Sequence, residues 1–483
     1  MKIDSSYIIP LLLCLLLLIH PALGQDTRTD KYLSEDFNAP DKITINNIFI
    51  IGNEKTRKNI IQRELNLTAK TTYDWEEFIS FLEEDKKKIY NLQLFTSVEV
   101  TPLFTEDDQV EILISVKERW YVMPGIIFQL ADRNFSEWWV NQNRDLSRVN
   151  YGVKLNHNNV GGRNEKLKVL AQFGFTQAFE VTYSKPYIDV KQQHGIAAQV
   201  TYFSNRTIPI RSIDNRQVFF TNEQEDILRR NLSATLQYTF RGSYYNFHNV
   251  SLGFNRTDIH PDVLQANPNY FLDDDVQLHY FMAGYSYRHD KRDNIAYATE
   301  GQVLALGINR YGLFTNDDVN ETEFALMVNK YLRLNNKFHY VTGFSGSSYL
   351  SPRQPYILVR GVGYNPNFIR GYELNVIEGQ QTVVHKNSIR YELLNANLDL
   401  SRYSPIDAIS YFPIRMYISG NFDHGHVRDR NFIPENSRLT NKYLFGYGVG
   451  LDLVTFYDNV FRFEYSINDQ GLGNFFINFT APL

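Results

Sequence analysis

Few residues in this chain stand in arrangements that could do chemistry, and Arg370 is foremost among them. It lies in Val359 to Glu373, read as VRGVGYNPNFIRGYE. Its chemistry is that of a permanent planar cation with a fixed fork of donors, able to grip a carboxylate at two points. Loops of about 15 residues without regular structure are uncommon and are usually functional or disordered, and Tyr364, Phe368, Ile369 and Tyr372 argue against disorder. The glycines permit close approach and positive φ. The stretch is therefore expected to be an ordered loop that folds back, its Ile369-Arg370-Gly371-Tyr372 step offering one guanidinium to an acceptor elsewhere.

Other reactive arrangements fail on spacing. Ser345 in Gly343-Phe344-Ser345-Gly346 lacks the second glycine and the strand-to-helix context of a nucleophile elbow. His424 and His426 flank Gly425 beside Asp423, but a His-x-His step at a strand end reads more simply as a polar loop mouth than as a metal site. There is no phosphate-cradling Gly loop, paired-His zinc helix or EF-hand spacing. The expectation is a protein that is not an enzyme, with no cofactor and no metal.

The elements that position Arg370 begin after the N-terminus. Lys2, the apolar run Tyr7 to Ile19 and the small residues Ala22-Leu23-Gly24 read as a secretory signal peptide over 1–24. A polar linker follows over 25–40. The single cysteine, Cys14, falls inside the signal, so the exported chain is expected to use no disulfides. Beyond it no run of 18 apolar residues occurs, which excludes a helical membrane protein. With 14% aromatic residues and a mean hydropathy of -0.36, a soluble all-β protein and a transmembrane β-barrel both fit. A net charge of -5 gives no electrostatic case for nucleic acid.

From 41 to 118 the order reads β-α-α-β-β. The region resembles a POTRA domain through Ile51-Gly52-Asn53 and Thr56, through Ile61, Glu64 and Leu65, and through Leu94, Phe95 and Val98. Pro102 cannot donate to a ladder, so Phe95 to Phe104 reads as an edge strand, and Phe95, Val98 and Val100 mark its candidate docking edge. From 119 to 483 the periodicity is that of strands. Leu232, Ala234, Leu236, Tyr238 and Phe240 alternate with polar residues, and Phe461, Phe463, Tyr465 and Ile467 alternate with Arg462, Glu464, Ser466 and Asn468. The fold class expected is an all-β transmembrane β-barrel with a small N-terminal α+β domain. Roughly 365 residues at about ten per strand plus turns suggest around sixteen antiparallel strands, with about fourteen or eighteen also compatible.

Further motifs carry a family resemblance. Asp290 to Asn294 with Gly301, Ile369-Arg370-Gly371-Tyr372, Asn421-Phe422-Asp423-His424-Gly425 and Gly446 to Leu451 occur in this order behind the POTRA-like region. Together they resemble the BamA/TamA superfamily of outer-membrane assembly and translocation barrels, the bacterial surface-antigen family. The resemblance implies that the Arg370 loop is a lid held in the lumen, with Phe422 and Gly425 on its strand motif. Alternation places Asp423 and Glu392 on the lumen side, and these are the expected acceptors for Arg370. The implied role is insertion or translocation of other envelope proteins, by β-augmentation at the POTRA edge and strand exchange at a barrel seam. The partners would be unfolded or partly folded envelope clients, the lipid bilayer with lipopolysaccharide, and accessory envelope proteins. The implied location is the bacterial outer membrane with the POTRA domain in the periplasm. A passive pore or uptake barrel, and an outer-membrane hydrolase, are the alternatives.

Overall fold

The computed structural model describes residues 40–480 apart from 107, 133–134, 225, 273–274, 352–353, 365–366, 400–410, 431–433 and 456–458. The signal peptide and all but the last residue of the linker lie outside the described residues.

The N-terminal unit is a four-stranded sheet with two helices. Its strands are β1 (Lys42–Ile51), β2 (Thr71–Asp74), β3 (Phe95–Glu106) and β4 (Gln109–Glu118), in the order β2-β1-β4-β3. β1 and β4 run parallel, and the other pairs are antiparallel. Ile43 and Ile45 of β1 turn the same face inward onto Phe78, Leu82 and Ile89 of the helix Trp75–Tyr90. That helix starts with Glu76 and Glu77 and ends with Lys87 and Lys88, charges that complement its dipole at both ends. β2 is an addition to the expected β-α-α-β-β order. At four residues it is too short to show a period, and only its pairing with β1 makes it a strand.

The remainder is a sixteen-stranded antiparallel sheet, beginning with β5 (Val122–Leu130) and ending with the strand Gly473–Thr480. The alternation has the expected sense. In the strand Arg229–Ser243, Leu232, Leu236 and Tyr238 are exposed on the outer face. Asn231 is buried inside, donating from Nδ2 to the Thr257 hydroxyl at 2.8 Å. No described helix is long and apolar enough to cross a membrane.

Two features of the sheet matter for function. First, β5 and Gly473–Thr480 are the two ends of the strand order, and among the described residues no ladder joins them. β5 carries Pro124 and leaves Ile126 86% and Phe128 79% exposed, as befits an edge strand with one neighbour. The short helix Phe135–Val140 packs against the final strand. Second, both ends of the lumen are entered by chain. The long segment after the strand Phe338–Tyr349 forms a small hairpin, Gly361–Val362 with Ile377–Glu378, and turns inward. At the other end sits the POTRA-like unit.

That unit is fastened to the barrel rim. The Arg57 amide donates to the Gly162 carbonyl at 3.0 Å, and Asn159 Nδ2 donates to the Thr56 hydroxyl at 2.9 Å. Arg241 grips Glu64 with two bonds of 2.9 and 3.0 Å, and the Tyr244 hydroxyl donates to the same carboxylate. Burial works to raise the pKa of Glu64, but Arg241, Arg63 and Tyr244 hold it below the ordinary value. Asn91, at the end of the helix Trp75–Tyr90, accepts from the Ile295 amide and donates to the Arg292 and Asp293 carbonyls.

Candidate functional site in the barrel lumen

The inward segment places Arg370 against two strands at once. Its Nη1 donates to Asp423 Oδ1 at 2.7 Å and its Nε to Glu464 Oε1 at 2.8 Å, while its backbone amide donates to Asp423 Oδ2 at 3.3 Å. Asp423 belongs to the strand Tyr411–Arg428 and Glu464 to Val460–Asn468, so one guanidinium ties two walls. All three side chains are shut off from solvent, Asp423 at 0% and Glu464 at 1% exposure. Lys386, the cross-strand neighbour of Asp423, lies 3.9 Å from the centre of the Phe368 ring. Two cations thus face two carboxylates, which is how charge survives burial.

The backbone makes this approach possible. A Cβ on Gly446 would come within 1.9 Å of the Arg370 carbonyl oxygen, so only glycine lets the loop lie flat on the wall. Gly371 adopts φ +84°, a conformation that favours glycine. Its carbonyl accepts from Asn468 Nδ2 at 3.2 Å. Ile369 is wholly buried with Val362, Ile377, Val384, Val427 and Leu444, and it crosses the face of Gly425, where a Cβ would meet its Cδ1 at 2.9 Å. Tyr372 is equally buried, and its hydroxyl donates to Asp469.

Glu392 departs from expectation. It points inward, as alternation requires, but it accepts from the Tyr417 hydroxyl at 3.0 Å and not from Arg370. Glu392 pairs with Tyr417 and Lys386 with Asp423, so the two levels differ by six residues along the strand, roughly 20 Å. Glu464 fills the second place. It sits on the polar side of the alternation in Phe461 to Asn468, which was the signal available for it. Phe422 lies on the outer face and is exposed, so the inward position preceding Asp423 belongs to Asn421, which bonds Ser388, Ser419 and Glu464.

Below the Arg370 level a second buried cluster enters from the POTRA side. The turn after Asp290 carries Tyr297 into the lumen, where its hydroxyl donates to Asp452 at 2.7 Å. Arg462 holds the same carboxylate at 2.8 and 3.2 Å. The Arg390 guanidinium lies 4.6 Å from the centre of the Tyr297 ring. Arg462 and Glu464 are alternate residues of one strand, so the two clusters share a wall. What these residues do chemically is hold one another, and in doing so they position two inserted segments.

A model described as the Omp85 superfamily domain matches residues 159–470 of this sequence. The chain belongs to the Omp85 superfamily. A second match, described as the surface antigen variable number repeat of the POTRA type, covers residues 43–119. Among solved structures, this Omp85 chain is similar to BamA from Haemophilus ducreyi lacking POTRA domains 1-3, at 14% identity and a TM-score of 0.51, over 90% of this chain and 83% of that one. It is also similar to CdiB from Escherichia coli, at 12% identity and a TM-score of 0.53, over 90% of this chain and 75% of that one. At such identities the likeness speaks for the fold. No curated protein matches the sequence.

Proposed function

We propose that this Omp85 chain assists the insertion or translocation of other envelope proteins in the bacterial outer membrane, with a periplasmic unit over 41–118 and a barrel over 119–483. The observation that carries the reading is the seam, where β5 and the strand Gly473–Thr480 end the sheet and, among the described residues, no ladder joins them. Backbone groups within a bilayer must find partners, so an edge of this kind is a place where an incoming strand exchanges hydrogen bonds. β3 is likewise the outer strand of the POTRA sheet. Pro102 sets its open side: Val98 and Val100 share the parity of the residue that has no N–H to give, and their amides face away from β4. Phe95 contributes less, because its side chain is buried and its carbonyl accepts from Arg119 Nε at 2.8 Å.

The mechanism is one of backbone pairing, without cofactor or nucleotide. An extended client first adds to β3 between Ser97 and Phe104, then reaches the seam, while the Arg370 loop keeps the lumen filled and the wall in register. Its partners are partly folded envelope proteins, the bilayer with its lipopolysaccharide, and accessory envelope proteins. A lumen entered by buried segments from both ends weighs against a passive pore. The test is depletion of the protein in cells, with quantitation of the envelope proteome and site-specific photocrosslinking from Glu99 of β3 and Phe128 of β5. Specific envelope proteins should fall in the membrane, accumulate in the periplasm and crosslink at both positions. An unchanged envelope proteome overturns the proposal.

A further inference from the structure

The outer face of the sheet has a gap in it. Residues directly paired across a ladder share a face, and one outward row runs Tyr340, Ile389, Gly420, Val449 and Tyr465 across neighbouring strands. Gly420 interrupts this row of bulky side chains, and a Cβ there would meet no heavy atom within 4 Å. Phe422 and Tyr447 form part of the next row, and the missing side chain leaves a groove of about 460 Å³ between them and Val449. The walls of the groove are mainly apolar and aromatic and stand exposed, Val449 at 59%.

Polarity changes sharply at one end of this groove. The outward residues of the strand Tyr411–Arg428 are Met416, Ile418, Gly420 and Phe422, followed by His424, His426 and Arg428 toward the end away from the POTRA unit. The neighbouring strands repeat the change. The Tyr340 and Thr342 hydroxyls both donate to Asn387 Oδ1, at 2.7 and 3.0 Å. His385 Nε2 lies 2.9 Å from the Thr342 hydroxyl, and its Nδ1 lies 2.9 Å from His424 Nε2. Polar groups on a wall that faces lipid are costly in the hydrocarbon and cheap at its boundary, so this cluster sets the head-group level. His424 stands roughly 13 Å along the strand from Gly420, a span that an acyl chain covers. An amphiphile has the same order, a charged head above an apolar tail, and the exposed Arg428 offers the fork that suits a phosphate. We propose that the wall from Gly420 to Arg428 binds one phosphate-bearing, acylated lipid of the outer leaflet, the lipid A portion of lipopolysaccharide. An acyl chain fills the gap at Gly420, and a phosphate meets Arg428, His424 and His426. The inference rests on the outer-membrane reading and gives its lipid partner a site, away from both the seam and the POTRA edge.

The test uses the full-length protein in detergent micelles and native mass spectrometry with three probes: lipid A bearing both phosphates, the same lipid without phosphates, and phosphatidylethanolamine. One equivalent of the phosphorylated lipid A should stay bound. The dephosphorylated form should bind about tenfold more weakly or worse, the scale of one charge-assisted hydrogen bond, and phosphatidylethanolamine, whose ammonium offsets its phosphate, should also bind more weakly. Gly420→Leu should weaken both forms of lipid A about tenfold, the scale of two buried methylene groups, with the heat-modifiable mobility of the folded barrel unchanged. Arg428→Gln should weaken the phosphorylated form alone. Val449→Trp narrows the same groove from the next strand and serves as the readout if Gly420→Leu does not fold. Ala234→Leu, which adds bulk to the outer face of a distant strand, is the control. Equal binding of the three probes, an equal loss in Ala234→Leu, or a dimer of this chain that Gly420→Leu dissociates overturns the assignment. Fractionation of cells decides the outer-membrane placement separately, and Glu99 crosslinks that persist in Gly420→Leu would show that a failed lipid site leaves client handling standing.

Discussion

At the scale of single residues, Arg370 is defined by having two acceptors on different strands. Removing it takes from Asp423 and Glu464 the guanidinium that binds both, with Lys386 and Arg462 as the cations nearby, and breaking a buried pair by deleting one partner costs about 3 to 5 kcal/mol. Arg370→Ala should lower the thermal transition of the folded barrel and open residues 367–373 to protease. Arg370→Lys should recover part of the loss, since an ammonium cannot reproduce the fork. Double-mutant cycles of Arg370→Ala with Asp423→Asn and with Glu464→Gln should each show coupling, and strictly additive losses in both would mean that the clasp does not act as one unit. Gly446→Ala should mimic the arginine deletion without touching a charge, because a methyl group there meets the Arg370 carbonyl at 1.9 Å. Alternation says which side chains point inward, and for Asp423, Glu392 and Glu464 it says the same thing. Only height along the barrel separates them, and height depends on strand tilt, on the bulge near Leu393 and on where the loop descends. None of these leaves a mark on residue period.

At the scale of elements, long regular features are legible in the sequence, and short or exceptional ones are not. The amphipathic helix Trp75–Tyr90 and the barrel strands declare themselves because a repeated period accumulates evidence along its length. β2 does not, since four residues hold only two periods. The open side of β3 is legible for a different reason, in that Pro102 removes a donor and so labels one edge. Val100→Pro should remove a second outward donor while leaving the β3–β4 ladder and the partly buried contact in place. Client crosslinking from Glu99 should drop several-fold, with the domain still folded by hydrogen exchange of the β4 amides. Undiminished crosslinking with the fold intact would exclude backbone pairing at this edge.

On the scale of the whole molecule, the POTRA unit and the barrel form one body through a few polar clasps, among them the ion pair of Glu64 with Arg241, joined by Tyr244. The sign of its pH dependence follows from the direction of the shift. The pKa of Glu64 is held below its ordinary 4.5, so its contribution to docking is fully present above about pH 4.5 and is lost as pH falls through the lower folded value. Acidification should therefore lengthen the distance between spin labels at Glu99 and at the exposed barrel residue Leu334. Glu64→Gln should produce the longer distance at neutral pH and abolish its acid dependence. A wild-type distance that stays constant down to pH 3 would remove Glu64 from the clasp.

The position of Glu464 has a kinetic consequence. The second acceptor of Arg370 lies 94 positions further along the chain, in the last strand but one. A contact closing so long a span bears a large loop entropy and forms late. During biogenesis the loop can meet Asp423 once the strand Tyr411–Arg428 is laid down, but it cannot be held from both sides until Val460–Asn468 has been added. The clasp therefore reports on completion: an unfinished barrel is one whose loop is still half free, and a protease that cuts at residues 367–373 would select against chains that have stalled short of closure.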